Sequence, residues 1–310
     1  MTNTAARKLG RRAPKNAPAL KLSAFLTGAV PAHPASVDYL SKATYGLYDN
    51  DTYGDCGPTS VANDRRQVTK YLTGTQVSPT QTDVFDLYKR SGNPDFDPAD
   101  PEGPGDQGVD MQTMLEAVHS GGIAGTKALA FAKVDVTKTD EIRAAVAIFG
   151  SLLLGVDLST AQQNQTGTWD YVSGSGDWGG HAVPVFGYDA DDVALISWAE
   201  KFEATNAFWS NQVQEAWVVI WPEHLGTTAF EQGIDLTALG QAYQELTGKA
   251  LPLPSPAPAP GPAPVPAPKP GDEADRRLAA ALKPWVAEHH FGQAHLVADE
   301  ARKWLHTKGL

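Results

Sequence analysis

The 310-residue sequence holds a single cysteine, Cys56. That excludes an internal disulfide framework and a cysteine-rich zinc site. It also fits a reducing compartment. No apolar run approaches the ~20 residues needed to cross a bilayer. Leu20 to Val30 is too short and too mixed for the apolar part of a secretory signal. Acidic residues are missing before Asp38, whereas Arg7, Lys8, Arg11, Arg12, Lys15 and Lys21 all precede it. Elsewhere acid dominates, and the net charge of −11 argues against general nucleic-acid binding by the main body. With 42% hydrophobic residues the chain can bury one large core plus accessories.

Four regions follow. Residues 1–33 read as a basic flexible arm, either a tether to an anionic partner or, as the default, a solvated tail. Residues 34–250 form the main domain. Residues 251–271 carry proline at every even position from 252 to 270, a polyproline II spacer. Residues 272–310 form a small helical module in which Pro284 and Gly292 predict breaks. His289, His290 and His295 lie there without carboxylates or cysteines in register, so surface histidines rather than a metal site are expected. Asn93 to Gly108, with four prolines and five acidic residues, lacks EF-hand spacing and reads as a solvated loop.

Within the main domain, periodicity predicts helices over Thr59–Leu72, Thr80–Arg90, Val109–His119 and Asp140–Ile148. Strands are expected over Leu129–Val136, Leu152–Leu158, Trp169–Val172, Gly179–Asp189 with a break at Gly187, Val193–Trp198 and Glu215–Trp221. Helices first and strands later indicate an α+β fold.

Two stretches carry chemistry. Tyr53-Gly54-Asp55-Cys56-Gly57-Pro58 places Cys56 where a loop becomes a helix, and the helix's positive end favours a thiolate there. A lone cysteine is more often a small buried hydrophobe, so Cys56 needs a base. His181, opening an apolar strand after Gly179-Gly180, is the best of eight histidines.

Together, Gly-Asp-Cys-Gly-Pro and Gly-Gly-His-Ala-Val-Pro-Val-Phe-Gly-Tyr-Asp resemble the papain-like cysteine protease superfamily, in its Asp-Cys-Gly-Pro bacterial or phage type. Ile142–Val156, Thr166–Tyr171, Ile196-Ser197-Trp198 and Glu215–Ile220 resemble further blocks in the same order, covering roughly residues 45–222. The resemblance implies a two-subdomain fold, a helical part and an antiparallel β part, with Cys56 as nucleophile and His181 as general base and acid. Asn50 stands where the family carries an oxyanion-donating Gln. For the family's imidazole-orienting Asn two registers are open: Ile196, anchored on Trp198, or Ser197, counted from His181. Ser197 can orient an imidazole and Ile196 cannot. No cofactor or metal is implied.

The expected function is a papain-like cysteine peptidase acting on a peptide or protein. A catalytically weak or inactive structural component of a phage particle and a peptidoglycan-cleaving hydrolase are the alternatives. The arm and the helical module are expected to dock on another protein or particle. The expected location is cytoplasmic or virion-associated.

Overall fold

The computed structural model describes residues 7–15, 17–28, 30–254, 273–288 and 294–308. Two compact units divide at Leu253/Pro254. In the first, a short strand β1 (Val37–Asp38) precedes helices α1 (Cys56–Thr73), α2 (Gln81–Arg90) and α3 (Met111–Gly121). Strand β2 (Ala130–Val134), α4 (Thr139–Phe149), β3 (Leu152–Ser159), β4 (Thr168–Trp169) and β5 (Asp177–Tyr188) follow. Then come β6 (Asp192–Ser197), β7 (Glu200–Thr205), α5 (Asn206–Gln212), β8 (Val213–Ile220), α6 (Thr228–Gly233) and α7 (Leu236–Thr247).

The strands make one eight-stranded sheet in the order β2-β8-β3-β5-β6-β7-β4, with β1 also pairing β5. The fold is α+β, as expected, but the sheet is mixed: β4 runs parallel to β7. Alternation along the strands splits the core in two. Leu153, Ala182, Trp217 and Val219 face α1, α2 and α3. Leu152, Leu154, Val156, Val183 and Val185 face the other way, onto α4, α6 and α7.

Local chemistry explains the helix ends. Thr80 and Asp83 form a reciprocal capping box that starts α2, and the Asp110 side chain accepts from Thr113 N–H at the start of α3. Gly150 closes α4 in the left-handed region, at φ 76°. Helix α1 is fixed at its far side by Arg65, which pairs with Glu223 at 2.8 Å and lies over the Trp221 ring. Asp64 accepts from Trp221 Nε1 at 2.6 Å and from Ser151.

Three expectations need correction. Gly187 does not end β5, although the pairing with β6 shifts register between Val185 and Gly187; a Cβ there would lie 2.7 Å from Val37 O, so glycine admits the backbone of β1. The strand after Trp198 was not foreseen. Trp198 and Ala199 turn the chain at φ 49° and 61°, then β7 pairs back on β6. Two-residue turns of this hand usually advertise themselves with Asn-Gly, and this one does not. Extended backbone near Trp169 is limited to Thr168–Trp169.

The arm differs most. Leu20, Leu22, Phe25 and Leu26 belong to the core, and residues 7–15 lie along the main body rather than free of it. The second unit contains α8 (Glu273–Glu288) and α9 (Ala294–Lys308). Pro284 lies inside α8 rather than breaking it; a proline forfeits one backbone hydrogen bond, and a helix can continue through it with a kink. Residues 255–271 of the spacer, His289, His290, Phe291, Gly292 and the side chain of His295 lie outside the described residues. No described helix is long and apolar enough to cross a membrane.

Candidate active site

Cys56 is the first residue of α1, and Asp55 precedes it as the N-cap. Gly57 lets this end of the helix press on its neighbours: a Cβ there would lie 2.6 Å from Val109 Cγ2 and 2.8 Å from Met114 Sδ. Across the cleft, β5 carries His181 and Ala182. The peptide N–H of Ala182 lies against the Cys56 sulfur and favours its charged form. The helix start and the strand therefore meet at the thiol.

His181 is fully buried. Its Nε2 lies 2.9 Å from Ser197 Oγ, while Nδ1 has no hydrogen-bond partner. Ser197 is thus the residue at the imidazole, and the Ile196 side chain packs with Leu40 and Phe186. Trp198 stacks on the imidazole, centroids 4.6 Å apart at 16°, and shields the His181–Ser197 bond. The strained turn at Trp198–Ala199 puts the ring there. Asn50 is buried just before Tyr53, and its Oδ1 has no partner. Asp55 is fully buried with both carboxyl oxygens unpartnered. Burial, then the Asp106 charge, raises its pKa well above the ordinary carboxylate value.

Above the thiol lies the N-terminal arm. Arg7 caps the Trp198 ring at 4.4 Å and pairs with Glu200 at 3.0 Å. Lys8 reaches Asp106 at 2.9 Å. Asp106 is therefore no solvated loop residue: it also accepts from Tyr88 Oη and Gly54 N–H, at 2.5 and 3.0 Å. Gly10 crosses so close that a Cβ would sit 1.9 Å from Gly54 O, and its N–H faces the Cys56 sulfur. Four backbone bonds hold the segment, the first from Lys8 N–H to Asp51 O at 3.1 Å. Arg11 N–H donates to Gly180 O at 2.9 Å, Val109 N–H to Gly10 O at 2.7 Å, and Arg12 N–H to Val109 O at 2.7 Å. Arg11 enters the body, where its Nε lies 3.1 Å from Glu215 Oε1 and its Nη1 2.7 Å from Asp157 Oδ1. Lys15 pairs with Asp110.

This cover sets the electrostatics. Burial pushes the Cys56 thiol up to about 12, against smaller lowering effects from the Ala182 and Gly10 N–H groups. Burial, with help from the Arg7 charge, takes His181 down to about 3. Both groups are neutral at pH 7 in this arrangement. A thiol, an imidazole and a hydroxyl can perform acyl transfer once the pair is rehydrated and ionised. Among the described residues no cluster of three or more His, Cys, Asp or Glu could hold a metal.

The sequence points to Cys56, His181, Ser197 and Asn50. It does not point to Arg11, to Glu215 as a buried carboxylate or to Asp157. Only the glycines flanking them, Gly155 and Gly180, hint at a close approach.

No family model matches the sequence, and no curated protein does. Solved structures do resemble it. Xylellain, a cysteine protease from Xylella fastidiosa, superposes with a TM-score of 0.53 at 14% identity, covering 69% of this chain and 96% of that one. proCathepsin B S9 from Trypanosoma congolense gives 0.52 at 11% identity, over 70% and 88% of the two chains. Digestive procathepsin L 3 from Tenebrio molitor larval midgut gives 0.50 at 15% identity, over 70% and 77%. With its helical wall, its mixed sheet and the meeting of α1 with β5, the chain has the papain-like cysteine protease fold.

Proposed function

We propose that this protein is a cysteine peptidase held latent by its own N-terminal arm. Cys56 is the nucleophile, His181 the general base and acid, and Ser197 the group that orients the imidazole. One observation carries the reading: Cys56 and His181, on opposite elements of a papain-like fold, are both fully buried beneath residues 7–12. A structural thiol has no need of a histidine with one nitrogen fixed by Ser197 and the other left without a partner.

The mechanism follows from the groups present. With the arm displaced, water and substrate reach the pair, and the burial that opposes ionisation is relieved. The α1 dipole and the Ala182 N–H favour the thiolate, and His181 takes the proton. The thiolate sulfur attacks the substrate carbonyl carbon. Peptide N–H groups at the start of α1, that of Cys56 among them, stabilise the oxyanion. The imidazolium returns its proton to the leaving amine, and water, deprotonated by His181, hydrolyses the thioester.

The arm itself is poorly placed for attack. Its Gly10 carbonyl is committed to Val109 N–H, and the N–H rather than the carbonyl of Gly10 faces the sulfur. The expected test uses full-length Gly10→Val, whose side chain cannot fit against Gly54. That variant hydrolyses a denatured protein, Gly10→Val/Cys56→Ala does not, and the unmodified chain is slow. No hydrolysis by Gly10→Val, although its Cys56 now reacts with iodoacetamide, sinks the peptidase reading.

A further inference from the structure

The arm crosses the cleft with one side chain set far more deeply than its neighbours. Arg11 is 6% exposed, whereas Arg12 beside it is exposed. Its guanidinium enters a recess between β3 and β8. Glu215 on β8 is 1% exposed, faces Arg11 Nε with one oxygen, and accepts from Trp217 Nε1 at 2.8 Å with the other. Asp157 on β3 meets Nη1 at 2.7 Å, and the Val156 carbonyl lies 3.5 Å from the same nitrogen.

Gly155 leaves the recess open for the guanidinium, and Gly180 makes room for the Arg11 backbone. A Cβ on Gly155 would lie 2.3 Å from Arg11 Nε and 2.7 Å from Glu215 Cγ; one on Gly180 would lie 2.2 Å from Arg11 O. Any other residue at 155 would fill the space the guanidinium takes. A buried carboxylate facing an open cleft is costly unless a cation arrives to pair with it. Trp217 satisfies only one of its two oxygens. Acceptors from two strands meet the Nε and Nη1 edge of the guanidinium, while Nη2 is buried without a partner.

We infer that Glu215, Asp157, Gly155 and Gly180 form an arginine-selective subsite of the cleft, so that the peptidase prefers substrates carrying an arginine beside the bond that is cut. Arg11 occupies that subsite in the latent chain as a built-in occupant. The inference rests on the peptidase reading, because it names which peptides that site takes. An apolar side chain in the recess strands the Glu215 charge, and an acidic one opposes it.

The test separates recognition from chemistry. Full-length Gly10→Val/Arg11→Ala both lifts the arm and empties the recess. In its Cys56→Ala form, calorimetry with acetyl-Gly-Arg-amide and its Leu and Glu counterparts reads binding alone. The Arg peptide is expected to bind at least ~10-fold tighter than either, and Glu215→Gln or Asp157→Asn to erode that ratio. Asp157 is half exposed, so its variant tests the recess without disturbing buried structure. Equal binding of the three peptides, no binding of any, or a ratio unchanged in both variants overturns the subsite. Hydrolysis is then scored with Cys56 restored. Arg-selective binding without hydrolysis refutes the peptidase reading and leaves the subsite; hydrolysis that favours Leu refutes the subsite and leaves the peptidase.

Discussion

Arg11→Ala in the otherwise unmodified chain should convert a protected Cys56 into a reactive one. The Arg11 and Glu215 side chains are each 1% exposed, whereas Asp157 is 51% exposed. The Asp157 pair is therefore discounted for solvent screening, and the Glu215 pair decides the outcome. Removing one member of a buried pair costs about 3–5 kcal/mol, mostly because the other charge stays buried alone. Arm displacement rehydrates Glu215, so that cost falls on the closed arrangement only. At about 1.4 kcal/mol per factor of ten, the lower end already raises the open fraction about 10²-fold. The rate of Cys56 alkylation by iodoacetamide, followed by mass spectrometry at pH 7, should rise by that factor. Arg12→Ala is the matched control, since its side chain is exposed. Equal alkylation rates in Arg11→Ala and Arg12→Ala would refute the reasoning, because the deep ion pair would then hold nothing.

Other outcomes follow from the same geometry. In the Gly10→Val background, Ser197→Ala should lower kcat about 10–10²-fold with KM little changed, the cost of leaving one imidazole nitrogen unpaired; steady-state kinetics on a peptide substrate reads it. His181, down at about 3, and His224, down at about 4, are both neutral when buried. The unfolded chain protonates them near pH 6.5, so stability is intact above that pH and is lost as pH falls toward 3–4, by up to about 1.4 kcal/mol per pH unit per group. Urea midpoints between pH 7 and 4 should show the fall, and His181→Gln should remove its share. Asp55 has the opposite sign: its raised pKa means the native state holds a proton that the unfolded state releases above pH 3.8. Its penalty therefore grows with pH. Asp55→Asn should match the parent at pH 4 and exceed it at pH 7 in the same urea assay; an unchanged difference across that range would remove Asp55 as the titrating group.

Much of this architecture was legible in the sequence, for physical reasons. Helices α1 and α4 and strand β3 have clean periodicity and glycine stops, so their placement differs from expectation by only a few residues. Cys56 at a helix start and His181 behind two glycines stand out because few residue types perform this chemistry. Ser197 was legible only as one of two registers; in the fold it lies at the imidazole, and Ile196 packs against Leu40 and Phe186. Strand β7 was hidden because Trp198 and Ala199 adopt backbone angles that nothing in their residue types announces. The arm was the largest miss. Six positive charges without a negative one resemble a solvated tail. The carboxylates that take Arg11 lie 146 and 204 residues away, and no local pattern links them.

The arm does not end at the cleft. Past Lys15 it runs into Leu20, Leu22, Phe25 and Leu26, which are sealed in the core, and Lys21 and Leu26 pair with Lys133 and Ile234. Residues 7–12 are thus a plug on a leash. Once lifted, they remain at the millimolar effective concentration of a short intramolecular tether, so dilution cannot expose Cys56 and each unaided opening is brief. A single cut on the short stretch between Arg12 and Leu20 changes the order of the reaction. The plug becomes a separate peptide held by the ion pairs of Arg7, Lys8 and Arg11 and by four backbone bonds, and dilution that had no effect before then favours its release.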